Sequence, residues 1–181
     1  MSSKSAQSTT SSLTVKDATL NLLRTFGIRK VFGNPGSTEL PFLSDWPDDI
    51  DYVLGLQEAS VIGMADGYAQ ATRNAGFVNL HSAAGVGNAL GNIYTAHRNQ
   101  TPLVITAGQQ ARSILPLEPF LYAERASEFP RPYVKFSVEP GLPNTFLMPN
   151  ARNRSSVASL TLTDLLLLFE GLRGNAAFLK T

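Results

Sequence analysis

Short apolar segments of strand length alternate with longer segments of helical period along residues 14–140, and this alternation constrains the fold more than any other feature. Segments 30–32, 52–56, 77–81, 103–106 and 133–138 read as strands. The stripe Val15, Ala18, Leu22, Leu23, Phe26 has helical spacing, Thr14 and Asp17 form a capping-box pattern before it, and Gly27 can close it. Further helices are predicted over 58–72 and, after a glycine turn, over 88–99. Strands alternating with helices imply a parallel sheet covered on both faces, and the strand segments are nearly all apolar, as doubly covered strands must be. The expected fold class is therefore α/β, a three-layer αβα arrangement with a mainly parallel sheet whose last strand is incomplete.

Length and composition narrow the remaining choices. A chain of 181 residues suffices for one domain with a real core. The net charge of +1, without clustered Lys or Arg, leaves no electrostatic footprint for nucleic acid. With no cysteine there are no disulfides and no thiolate metal sites, and no metal-ligand cluster is visible. The longest apolar run, Leu165 to Phe169, falls far short of the roughly 20 residues that span a bilayer. Residues 1–13 are mostly Ser and Thr and read as a disordered tail of a cytoplasmic protein. From Gly141 the character changes: residues 141–181 lose the alternation, and Thr163 is expected to cap a short helix ending at Phe169.

In open parallel sheets ligands gather beyond the carboxyl ends of the strands. The sequence places Asn34, Pro35, Gly36 and Ser37 after the first strand, and Gln57 and Glu58 after the second. His81 and Ser82, followed by Gly85, Gly87 and Asn88, come after the third, and Gln109 and Gln110 after the fourth. Glu58 stands out because its helical neighbours Val61, Ile62, Ala65 and Ala69 are all apolar. A carboxylate on that face is expected to be desolvated, with a raised pKa. The same position is equally that of a first-turn acid favoured by the helix dipole. His81 reads either as an acid/base group or as a rim histidine bonded to backbone. Ser37 reads as a cap for the next turn, with Glu39 in that first turn, and can still present its hydroxyl to a ligand.

Two other motifs are incomplete. Gly85-Val86-Gly87-Asn88-Ala89-Leu90-Gly91 suggests a dinucleotide fingerprint, but its third glycine is one residue late and no acid follows about 20 residues on, at the tip of the next strand. His81-Ser82 suggests a nucleophile elbow, but Leu80 stands where the motif needs glycine.

Four segments carry a family resemblance. Val31-Phe32-Gly33-Asn34-Pro35-Gly36-Ser37-Thr38-Glu39-Leu40-Pro41 resembles the opening motif of benzoylformate decarboxylases. Gln57-Glu58-Ala59 with Ala65-Asp66-Gly67-Tyr68-Ala69 resembles the glutamate helix of thiamine-diphosphate enzymes at large. Asn79-Leu80-His81-Ser82-Ala83-Ala84-Gly85 with Gly87-Asn88 resembles the decarboxylase form of the next loop. Thr106-Ala107-Gly108-Gln109-Gln110 completes the set. The resemblance runs from about residue 15 to 140, in order and at natural spacing.

The resemblance implies a pyrimidine-binding domain of a 2-oxo acid decarboxylase. Glu58 would hydrogen-bond the aminopyrimidine ring nitrogen of thiamine diphosphate, His81 would move protons to and from the reacting centre, and Ser37 would hold the substrate carboxylate. Asn34, Pro35, Gly36, Gly85 and Asn88 would line the cofactor. The substrate would be an aromatic 2-oxo acid, and Mg2+ with the diphosphate would be held by a C-terminal domain of a homodimer or homotetramer. Residues 141–181 do not resemble the family and read like a frameshifted or misspliced end, so the chain is expected to be a truncated enzyme, inactive alone. Two further readings stand beside this one: a non-catalytic partner of a full-length relative, and an acetolactate synthase-like or nucleotide-dependent enzyme.

Overall fold

The structure, a computed structural model, describes residues 14–140 and the backbone of 165–170. The expected tail over 1–13, the cap at Thr163 and most of segment 141–181 lie outside the described residues. Helix α1 (Val15–Thr25) begins at the predicted capping box: Asp17 N donates to Thr14 Oγ1 at 3.0 Å and Thr14 N donates to Asp17 Oδ2 at 3.1 Å. Leu20 is turned inward and Leu22 outward, the reverse of the predicted role for Leu22, while Val15, Ala18 and Leu23 face the core as expected. Gly27 takes φ +66°, the left-handed conformation that ends helices, and Ile28 leads into the sheet.

Strands β1 (Lys30–Asn34), β2 (Asp51–Leu54), β3 (Gly76–Leu80) and β4 (Leu103–Gly108) pair in parallel in the order β2-β1-β3-β4. Adjacent residues along them face opposite layers, as the strand period requires. Val31, Phe77 and Val104 join Val15, Leu20, Leu23 and Ile28 beneath α1. Phe32, Val78 and Ile105 join Val61, Ile62, Val86 and Ile93 from α3 (Glu58–Thr72) and α4 (Ser82–Asn99) on the other face. That is the three-layer arrangement predicted. A short helix α2 (Leu40–Leu43) follows β1 after the turn of 3-10 helix Ser37–Glu39.

Three expectations are corrected. Helix α4 begins at Ser82 rather than Asn88, so Gly85 and Gly87 lie inside a helix and form no turn; small residues there let α4 lie close to its neighbours. Residues 131–133 form a 3-10 turn, and the last segment of this region narrows to β5 (Phe136–Val138). Strand β6 (Leu165–Glu170) occupies the place of the predicted short helix and runs antiparallel to both β4 and β5. An apolar run of that length suits a helix or a strand equally, and the open edge of β4 presents unpaired backbone groups that only a strand can satisfy.

Buried polar groups brace the frame. Asp66, buried on α3, accepts from Gln70 Nε2 at 2.8 Å, Asn99 Nδ2 at 3.0 Å and the Thr101 hydroxyl, tying α3 to the connection between α4 and β4. Within the sheet, Tyr52 donates to Asn79 Oδ1 at 3.2 Å, and Asn79 Nδ2 donates to Thr106 Oγ1 at 3.1 Å. Burial, with the negative charge of Glu39 nearby, pushes the Tyr52 phenol above its ordinary range, which keeps it a donor. No helix among the described residues is long and apolar enough to cross a membrane.

Candidate active site

The strand registers bring the carboxyl ends of three strands into line. Asn34 of β1 stands opposite Leu80 of β3, and Leu80 opposite Ala107 of β4. Every residue predicted for the site except Glu58 leaves the sheet at this rim or within the first turns after it. Glu58 enters from the first turn of α3, after β2.

Glu58 is 9% exposed and lies against Gly85 of α4. Its Oε2 accepts from Asn88 Nδ2 at 3.3 Å. Its Oε1 accepts no hydrogen bond among the described residues, and a β-carbon on Gly85 would stand 3.3 Å from that same oxygen. A buried carboxylate oxygen without a donor is costly unless something supplies one. Glu58, Gly85 and Asn88, three of the predicted residues, thus form one side of the site.

His81 belongs to the other side, one helical turn away: it is the N-cap of α4, and its carbonyl accepts from Gly85 N at 2.8 Å. Its side chain is 24% exposed. The ring packs on Gly36 of the predicted Asn34-Pro35-Gly36 turn, and its Nδ1 lies 2.8 Å from Glu39 Oε2 and 3.2 Å from Thr38 Oγ1. Nε2 makes no hydrogen bond among the described residues. The next residue, Ser82, is held at φ +53° and is fully buried, so the chain turns sharply from strand into helix just where the imidazole must be aimed.

Ser37 is exposed at the mouth of the same turn, and its hydroxyl makes no hydrogen bond among the described residues. Its expected role as a cap is not seen: Gly36 occupies the cap position, and the Glu39 carboxylate accepts from Gly36 N instead. Asn34 and Pro35 are half-buried between strand and turn. Gln109 and Gln110 reach the rim but are occupied elsewhere. Gln109 Nε2 donates to Ala123 O at 3.0 Å and Gln110 Nε2 to Phe120 O at 3.1 Å, anchoring the loop that follows β4.

Glu39, read from the sequence only as a first-turn acid, lies at the centre of this side of the candidate site. It is 1% exposed and is held by a set of hydrogen-bond donors. Oε1 accepts from Thr38 Oγ1 at 2.7 Å, Gly108 N at 2.8 Å and Ser82 N at 3.3 Å, and Oε2 accepts from Gly36 N at 2.8 Å beside the His81 ring. One side chain therefore binds the ends of β1, β3 and β4 together. The signal was an acid followed by Leu40, Pro41, Phe42 and Leu43, an apolar setting in which a mere first-turn acid is out of place.

Chemically, the site offers a buried carboxylate with one oxygen that accepts no hydrogen bond, an imidazole with one nitrogen that makes none, both among the described residues, and an exposed hydroxyl. The glycine run of α4 is helical from Ser82 onward, so a dinucleotide reading loses its phosphate loop. Among the described residues no group of three or more His, Cys, Asp and Glu could hold a metal ion.

Residues 13–125 match the thiamine pyrophosphate enzyme family through its N-terminal TPP binding domain. Benzoylformate decarboxylase of Pseudomonas aeruginosa is 53% identical over 127 residues, which cover 70% of this chain and 24% of that protein. The large subunit of acetolactate synthase isozyme 3 from Escherichia coli is 36% identical over 113 residues, 61% of this chain and 20% of that one. The crystal structure of benzoylformate decarboxylase from Polynucleobacter necessarius superposes with a TM-score of 0.70 at 51% identity, covering 74% of this chain and 26% of that one. The chain spans about a quarter of the length of these decarboxylases.

Proposed function

Since the chain belongs to the thiamine pyrophosphate enzyme family through its N-terminal TPP binding domain, we propose that it supplies the pyrimidine side of a decarboxylase acting on an aromatic 2-oxo acid. The observation that carries this reading is Oε1 of the buried Glu58, which accepts no hydrogen bond among the described residues and lies beside Gly85, where a β-carbon would stand 3.3 Å away. An aminopyrimidine ring nitrogen is a partner of the right kind, because it can share a proton with a desolvated carboxylate. Asn88 steadies the other oxygen and so sets the direction in which Oε1 points. Gly36, Asn34 and Pro35 line the opposite approach.

When bound, thiamine diphosphate supplies the electron sink into which the bond to the departing carboxylate breaks. The chain's own residues supply position and proton control. His81 stands at the rim, and its Nε2, without a hydrogen bond among the described residues, can deliver or remove a proton. The exposed Ser37 hydroxyl can donate to the substrate carboxylate. The diphosphate and its Mg2+ are assigned to another domain, and the family's arrangement calls for a second subunit to bring it there. Acetolactate synthase chemistry is the less favoured reading, because identity to that relative is lower, 36% against 53%, and the loop that carries His81 resembles the decarboxylase form.

The test is a chimera in which residues 14–140 replace the matching part of the Pseudomonas aeruginosa enzyme, assayed for carbon dioxide release from benzoylformate. It should turn over, and Glu58→Gln should lower kcat by about 10²–10⁴, the usual worth of general acid–base catalysis. A folded chimera without activity would sink the decarboxylase reading. Near-parent turnover of the variant would remove Glu58 from this role.

A further inference from the structure

We infer that Glu39 is a positioning residue that sets the tautomer of His81, holding the ring proton on Nδ1 so that Nε2 meets the cleft as a bare acceptor. Two neighbours of Nδ1 lead to this. Glu39 Oε2, 2.8 Å away, belongs to a carboxylate surrounded by donors and can only accept. Thr38 Oγ1, 3.2 Å away, directs its proton to Glu39 Oε1 and so meets Nδ1 as an acceptor too. A neutral imidazole flanked by two acceptors at Nδ1 must carry its hydrogen there. Gly36 and Gly108 permit the arrangement: a β-carbon would stand 2.3 Å from the His81 ring at the first and 2.4 Å from Glu39 Oε1 at the second.

The geometry also dictates what Glu39→Gln does. Three donors, Thr38 Oγ1, Ser82 N and Gly108 N, converge on Oε1 and select the carbonyl oxygen of the amide for that place. The amide nitrogen then takes the Oε2 position at the loss of the bond from Gly36 N, and there it donates to Nδ1 and drives the proton to Nε2. The substitution is close to isosteric, yet it inverts the histidine.

The use of Nε2 in catalysis rests on the decarboxylase reading; the tautomer does not. The experiment is ring ¹⁵N correlation spectroscopy of the labelled 181-residue chain at alkaline pH, with His97→Gln assigning the two histidines. The parent should show a protonated Nδ1 and an unprotonated Nε2 for neutral His81, and Glu39→Gln should exchange the two signatures. A parent with the proton on Nε2 overturns the inference, as does a folded Glu39→Gln whose tautomer is unchanged. Should that variant fail to fold, the parent spectrum decides alone. An inactive chimera beside a parent chain with the Nδ1–H signature would remove the decarboxylase reading and leave this one standing. An active chimera with the proton on Nε2 would do the reverse.

Discussion

The imidazole of His81 occupies the space that a side chain at Gly36 would need: a β-carbon there would lie 2.3 Å from both Nδ1 and Cε1. Gly36 sits at φ −126°, a conformation open to any residue, so its requirement for glycine is steric and owes nothing to backbone strain. Gly36→Ala should therefore displace the ring from Glu39. Overpacking of this kind costs about 1–3 kcal/mol. Urea denaturation should register the loss and the His81 ring resonances should move with it. A variant as stable as its parent, with unmoved resonances, would show that the turn can relax away from the ring.

Gly85 makes the opposite trade. It lies within α4, where replacing glycine by alanine gains roughly 1 kcal/mol of helix stability. The added carbon would stand 3.3 Å from Glu58 Oε1 and 3.4 Å from its Cγ, so the carboxylate must give way. Gly85→Ala should melt at the same temperature as the parent or higher, yet bind thiamine diphosphate more weakly in the chimera. Thermal unfolding and titration calorimetry read the two effects separately. Unchanged cofactor affinity would detach Glu58 from the cofactor.

A surface charge cluster supplies a pH-dependent prediction. Arg24 grips Asp49 with two hydrogen bonds of 2.8 Å, and Arg29 adds one of 3.1 Å, joining α1 to the loop before β2. The Arg24 hydrogen bond lowers the Asp49 carboxyl to about 2 from its ordinary 3.8. A depressed folded-state value means that the pair stabilises fully above the ordinary value and loses its effect as pH falls toward the lower one. Asp49→Asn should thus have a lower denaturation midpoint than the parent near neutral pH. The gap should close between about pH 4 and pH 2, and narrow with added salt because the partners are exposed. A gap that is constant with pH would mean that the substitution acts through something other than charge.

Much of the frame, and part of the candidate site, is legible in the sequence. The capping box at Thr14, the helix from Glu58 and the four parallel strands follow from local periodicity, which survives in a single sequence because each element must bury one face. Glu58 was legible for the same reason, as an acid on an otherwise apolar helical face. Leu165–Glu170 was not, because its conformation depends on whether an open strand edge lies within reach.

What the sequence by itself determined is therefore the set of elements, their layer arrangement and the residue types that line the rim, since these depend on short-range pattern and turn chemistry. Only the tertiary structure decided which of those residues meet. Glu39 is 42 positions from His81 and 69 from Gly108, and no periodicity links them. They come together because three parallel strands end in register, and because Gly36 and Gly108 leave room that any larger side chain would fill. The direction of the His81 proton is settled by that convergence, since the ring can donate only where long-range packing has placed an acceptor.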